Sequence, residues 1–242
     1  MFLYTASMSN IVEKVREALS REGSEEVRKS GSRFFKEEVR LHGVKAPRVE
    51  KMAKAIFRDI RKEGKGRVFS YCEELLSSGY LEEGFVACHW SYALHGAYAP
   101  DDFFVFEGWV DRYVTNWAVC DTLCNHTVGA FLERYPTYVA RLLNWARSEN
   151  RWVRRASAVS LIIPVRKGKF LAEAFSIADS LLLDPEDMVQ KGNGWLLKVA
   201  SQTHQAEVFD FVMNRKARMP RTALRYAIEK MPAELRRRAM ER

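Results

Sequence analysis

Long apolar runs are missing from this chain of 242 residues, and their absence is the first constraint on what it can be. No stretch reaches the ~18 apolar residues that a bilayer-spanning helix needs. The N-terminal residues Met1 to Ser7 are mildly apolar, but they lack a basic start and a long apolar centre. They do not read as a signal peptide, and the expected location is the cytoplasm. Cysteine is also scarce: Cys72, Cys88, Cys120 and Cys124 are the whole supply. That excludes a disulfide-stapled scaffold, which a chain of this length does not need. Cys120 and Cys124 lie one helical turn apart with His126 nearby, but zinc favours two close ligand pairs. The other local candidates are only Cys88, His89 and His95. Small core residues are the better reading of the thiols, and no metal is expected. Strand signals are nearly absent, with no convincing alternating run and no Asn-Gly hairpin.

What the sequence does contain is helical periodicity. Apolar residues recur at spacings of three and four, as in Ile11, Val12, Val15 and Leu19, then Met52, Ala55, Ile56 and Ile60. Prolines punctuate the chain as helix starts. Pro100 and Pro185 are followed by acids, and Pro136, Pro220 and Pro232 open further segments. Proline wastes no N–H in a helix's first turn, and acids there complement the dipole. Pro100 and Pro136 lie 36 residues apart, and Pro185 and Pro220 lie 35 apart. Tryptophan-bearing helices recur similarly around Trp117, Trp152 and Trp195. Such a period, with two helices per unit, predicts an all-α fold: an α-solenoid of HEAT-like repeats, curved, with inner helices lining a concave face. No linker divides the chain, so one domain over residues 1–242 is expected.

The net charge of +8 is unevenly spread. Residues 36–67 carry +6 and residues 141–242 carry +9, while residues 68–140 carry −8. Two basic stretches around an acidic middle suggest a polyanionic partner on a basic face, although mixed charge also serves solubility alone.

Three short segments stand out. In Asn116-Trp117-Ala118-Val119-Cys120-Asp121, Trp117 and Asp121 are four apart and share a helix face. In Arg151-Trp152-Val153-Arg154-Arg155-Ala156, Arg151 and Arg155 do the same. In Gln190-Lys191-Gly192-Asn193-Gly194-Trp195-Leu196-Leu197-Lys198, the shared face holds Lys191, Trp195 and Lys198. A tryptophan in a helical repeat is usually core, and an aspartate near a helix start is often only a dipole partner. Gly192 and Gly194 are harder to dismiss, since each costs about 1 kcal/mol in a helix interior. Something must approach that helix closely, either a neighbouring helix or a ligand backbone.

In this order and spacing, the three segments resemble the successive motifs of the AlkD-type DNA alkylation repair enzymes, HEAT-like-repeat DNA glycosylases. The segment Phe34 to Arg48, with Leu41-His42-Gly43-Val44-Lys45-Ala46-Pro47, resembles the family's early aromatic-rich helix and turn. The resemblance spans roughly residues 30 to 230. It implies removal of cationic N3- and N7-alkylpurines from double-stranded DNA. It implies that Asp121 is the catalytic carboxylate, that Trp117 and Trp195 flank the lesion's deoxyribose, and that Arg155 engages the nucleotide near the carboxylate. Arg147, Arg151, Arg154, Lys191 and Lys198 become candidate phosphate contacts, with Lys45 and Arg48 at the other end. No cofactor and no obligate protein partner are expected, and the expected state is a monomer. Three departures bear on substrate range: Phe34 stands where the best-known branch has tyrosine, Asn116 where it has an aromatic, and Gly192-Asn193-Gly194 is richer in glycine. A non-catalytic protein of the same fold, recognising bent, damaged or branched DNA, is the alternative reading. Retention of Asp121 speaks against it, because pure phosphate binding needs no carboxylate in a negative field.

Overall fold

The computed structural model describes residues 5–241, with side chains from residue 11 onward. Residues 1–7, weighed above as a leader, lie outside these except for the helical backbone from Thr5. Helices are the regular elements of the described residues, and the only extended pairing among them is an isolated bridge between Arg40 and Tyr80. No helix of the described residues is long and apolar enough to cross a membrane. The chain divides into two compact units, Met1–Leu123 and Cys124–Arg242, and the division falls within helical residues rather than at a linker.

The first unit contains α1 (Thr5–Glu22), α2 (Glu25–Ser32), α3 (Ala46–Ile60), α4 (Lys65–Ser77), α5 (Leu81–Ala93), α6 (Asp102–Tyr113) and α7 (Trp117–Thr122). Helix α5 is its centre. It packs on α3, α4 and α7, and it is apolar nearly all round, as a surrounded helix must be. The amphipathic α3 instead buries one stripe, Val49, Ala53, Ile56 and Ile60, at the spacing of a half-exposed helix. Trp90 on α5 donates its indole N–H to the Ala53 carbonyl at 2.9 Å, so this buried donor is satisfied.

A wide π-type turn, Leu123–Val128, leads into the second unit, which continues through α8 (Gly129–Arg134), α9 (Leu142–Trp145), α10 (Arg151–Val159), α11 (Ile162–Arg166) and α12 (Leu171–Ser180). It ends with α13 (Asp187–Ala200), α14 (Gln205–Met213), α15 (Arg221–Ile228) and α16 (Ala233–Met240). Helix α13 is the hub, packed against α10, α11, α12 and α15. The prolines act as the sequence implies: Pro220 and Pro232 are the cap residues of α15 and α16, and Pro100 and Pro185 lie two residues ahead of α6 and α13. Pro136 opens a 3-10 turn, Pro136–Arg141, instead of an α-helix. All four cysteines are reduced and buried, in keeping with small core residues. No group of three or more His, Cys, Asp or Glu side chains is placed to hold a metal ion among the described residues.

Candidate functional site

In the first unit the site is built on α7. Asn116 takes an extended conformation ahead of the helix, and its side-chain oxygen accepts the Val119 N–H at 3.0 Å. This is a strong N-cap, and it explains why asparagine stands beside the tryptophan. Ala118, Val119 and Cys120 then turn into the core. Gly84 on α5 admits them, since a Cβ there would lie 3.0 Å from a Val119 methyl. The residues left on the outer face include Trp117 and Asp121, both half-buried, as their four-residue spacing requires.

Trp117 is held in a defined orientation. Its indole Nε1 donates to the Phe34 carbonyl at 3.3 Å, and its ring stacks on Phe35 at 5.4 Å with planes 24° apart. The Phe34 ring itself points outward, 75% exposed. The segment between α2 and α3 that carries both phenylalanines is anchored again at its far end by α5. Glu82, 2% exposed, accepts the backbone N–H groups of His42 at 2.9 Å, Gly43 at 2.8 Å and Val44 at 3.0 Å. Gly43 is required there: its φ is +88°, and a Cβ would meet the Ser24 carbonyl oxygen at 2.3 Å. Glu83, 1% exposed, takes His42 Nε2 at 2.9 Å and Arg16 Nε at 3.1 Å. Burial opposes its charge, but hydrogen bonds from His42 and Ser78, with the Arg16 charge, outweigh burial and hold its carboxyl below the ordinary range.

These two carboxylates anchor the segment that leads to Phe34 and Phe35, and the sequence reading missed them. The signal was present as Glu82-Glu83 in the first turn of an otherwise apolar helix, where acids are easily assigned to the dipole alone. Asp102 is similarly internal, bonded to Lys65 at 2.6 Å and to the Ala99 N–H at 2.8 Å. Three of the acids in the acidic middle of the sequence are therefore interior and paired and do not add to a surface charge.

In the second unit, α10 begins at the Asn150 cap, whose side chain accepts the Trp152 N–H at 2.9 Å. Its three arginines have different fates. Arg151 is half-buried, pairs with Glu186 at 3.2 Å and lies over the Trp152 ring at 4.9 Å. Arg154 is committed to the fold: it reaches Asp184 at 2.6 and 3.3 Å and the carbonyls of Ser148 and Glu149 at 2.9 Å each. Arg155 is 4% exposed and donates to the Met188 carbonyl in the first turn of α13.

Both glycines of α13 serve neighbouring helices. A Cβ on Gly192 would sit 3.2 Å from Arg155 Cγ, and one on Gly194 would sit 2.5 Å from Tyr226 Cβ and 2.8 Å from the Ala223 carbonyl oxygen. Gly192 makes room for an arginine and Gly194 for α15. Asn193 between them is fully buried and donates to the Ala178 carbonyl at 3.1 Å. With that side sealed, Asp187, Lys191, Trp195 and Lys198 are half-exposed along one stripe of α13. Lys191 pairs with Asp187 at 2.8 Å, and Lys198 reaches Glu229 at 3.1 Å beside the Tyr226 ring. Trp195 makes no side-chain hydrogen bond or ring contact among the described residues, unlike Trp117. Arg147 and Lys45 are exposed, and Arg48 forms a two-pronged pair with Glu22 at 2.5 and 2.9 Å.

The first unit thus offers a half-buried carboxylate one helical turn from an oriented indole, and the second offers a stripe of cations around a tryptophan. Residues 15–231 match the family described as DNA alkylation repair enzyme, and the chain belongs to that family. A solved structure, described as a predicted DNA alkylation repair enzyme from Enterococcus faecalis, superposes with a TM-score of 0.79. It is 16% identical, and the match covers 88% of this chain and 98% of that one. At that identity the likeness speaks for the fold. No curated protein matches the chain.

Proposed function

We propose that this member of the family is a DNA glycosylase that hydrolyses the N-glycosidic bond of cationic N3- and N7-alkylated purines in double-stranded DNA, acting as a monomer. The observation that carries the proposal is the pairing on α7: a capped helix start, an indole fixed by Phe34 and Phe35, and Asp121 one turn further on the same half-buried face. The HEAT-like reading of the helix pairs, with their basic residues turned to DNA, belongs to the same proposal.

The chemistry needs little more. An alkylated purine already carries positive charge, so it departs neutral when its bond to C1′ breaks, and no general acid is called for. The electron deficit moves to the sugar as an oxocarbenium ion. A carboxylate about 4 Å away lowers the energy of that ion by roughly 4 kcal/mol at an effective dielectric near 20. That is about a thousandfold in rate. Indole faces add about 0.5–2 kcal/mol through cation–π contact, the role assigned to Trp117 and Trp195. Water then adds to C1′, and Asp121 accepts its proton. The products are a free base and an abasic site, and no cofactor takes part.

Arg155 engages the damaged nucleotide in this scheme, and its tether to Met188 also fixes the start of α13. Lys45, Arg48, Arg147, Arg151, Lys191 and Lys198 contact phosphates, the paired ones exchanging a carboxylate for a phosphate oxygen. Phosphate contacts carry no sequence information, which suits repair at any position. Arg154 is left out of this set because its donors are spent on Asp184 and two carbonyls.

The test is release of N7-methylguanine and N3-methyladenine from methylated genomic DNA by the wild type and by Asp121→Asn. The expected result is release by the wild type, a loss of about a hundredfold or more in the variant, and unchanged DNA affinity. Equal release by both would refute the role of Asp121. Binding without release by either would establish the non-catalytic alternative.

A further inference from the structure

The last two helices of the second unit flank a shallow groove that the proposed chemistry does not use. It is an open cavity of about 400 Å³ between α15 and α16, within the size range of ordinary ligand sites. Three guanidinium groups, Arg225, Arg236 and Arg237, stand around it against one carboxylate, Glu229. The floor is apolar, formed by Ile228, Ala233 and Met240.

The cluster differs from the arginines of the unit that are committed to the fold. Arg154 and Arg215 are spent on Asp184 and Asp179. Arg225 and Arg236 make no side-chain hydrogen bond or ion pair among the described residues. Arg237 has only a distant one, 3.9 Å to Glu241. The one acid at the rim is already engaged, since Glu229 is held by Lys198 at 3.1 Å and faces Lys230 at 4.0 Å. Three like charges around one concavity repel one another until an anion enters. The walls are also fixed in advance. Lys216 Nζ binds the carbonyls of Arg238 at 3.0 Å and Glu241 at 2.9 Å at the end of α16, and Arg238 lies over the Phe209 ring at 5.1 Å. A groove that needs no reordering loses less entropy when it binds.

We propose that this groove docks an acidic peptide segment of a partner protein, with one bulky apolar side chain on the Ile228–Met240 floor and flanking carboxylates on Arg225, Arg236 and Arg237. The apolar floor decides between polyanions. A duplex presents phosphates along a convex polar ridge, for which buried apolar surface gains nothing. A peptide that alternates carboxylates with a leucine or phenylalanine uses both the guanidinium groups and the floor. The inference does not depend on the glycosylase reading, because none of these residues belongs to the site on α7 or the stripe of α13.

The experiment uses the full chain and a fluorescein-labelled peptide, Asp-Asp-Leu-Phe-Asp-Asp, with anisotropy read at physiological salt. A second peptide carries alanine in place of Leu-Phe, and a short unmodified duplex serves as the third probe. The expected result is micromolar binding of the first peptide, weakened at least about tenfold both by the alanine peptide and by the double variant Arg225→Ala/Arg236→Ala. Duplex affinity stays within about twofold in that variant. These exposed substitutions leave the fold intact, which circular dichroism checks. Equal binding of both peptides reduces the groove to unspecific attraction and overturns the proposal. Failure of the peptide to bind overturns it as well. A loss of duplex affinity in the double variant, without peptide binding, reassigns the groove to DNA.

Discussion

Replacing Gly194 by alanine tests the packing that shapes the α13 stripe. Alanine is the better helix former by about 1 kcal/mol, so an unhindered site would gain stability from the change. Here the new Cβ would stand 2.5 Å from Tyr226 Cβ and 2.8 Å from the Ala223 carbonyl oxygen. Restoring ordinary contact at 3.4 Å requires α15 to retreat by about 0.9 Å, and the obstructing atoms belong to its backbone and Cβ, which no rotamer change can move. Overpacking of this kind costs about 1–3 kcal/mol. Set against the propensity gain, the net loss is about 0–2 kcal/mol, a fall in melting temperature of up to about 8 °C for a chain of this size. Gly66 on α4 is the control, because a Cβ there meets nothing within 4 Å. Thermal unfolding by circular dichroism should show Gly194→Ala below the wild type and Gly66→Ala at or above it. A Gly194→Ala protein more stable than the wild type, by the full propensity gain of an unhindered site, would refute the argument that α15 requires glycine at this point.

Other outcomes follow from the same contacts. Arg154→Ala leaves Asp184, whose side chain is 5% exposed, without its guanidinium. Breaking such a pair from one side costs about 3–5 kcal/mol, and urea unfolding should show the loss. The low pKa of Glu83 contributes stability that is present above its unfolded value, near 4.5, and is lost as pH falls through the folded value. Glu83→Gln should therefore flatten the drop in melting temperature on acidification below about pH 5. If Lys191 contacts a phosphate, Lys191→Gln should reduce the slope of log affinity against log salt by about 0.9, and an unchanged slope would remove it from the interface.

The helical pattern, the proline-led starts of α13, α15 and α16, and the outward stripe of Lys191, Trp195 and Lys198 were legible because each rests on local periodicity or capping. The partnership of Trp117 with Phe34 and Phe35 was not, since it joins residues 83 apart in the chain. Gly192 and Gly194 announced a close approach, but only packing decides that an arginine and α15 make it. Charge misled most. Arg154 looks identical to Arg151 in sequence, yet one is spent on Asp184 and the other is half-exposed. Glu82, Glu83 and Asp102 count toward an acidic stretch but serve inside the fold. Formal charge per segment cannot distinguish a surface from a buried pair, because pairing depends on residues about 40 positions away.

The burial of the four thiols has a consequence for how such a protein survives. Thiolates, not thiols, react with electrophiles. Burial pushes Cys72 and Cys88 up from the ordinary thiol range, and Cys120 and Cys124 are wholly enclosed. The reagents that alkylate DNA also alkylate accessible thiolates. By presenting none on its surface, this member of the family keeps its own thiols out of reach of the chemistry that produces the damage its family repairs.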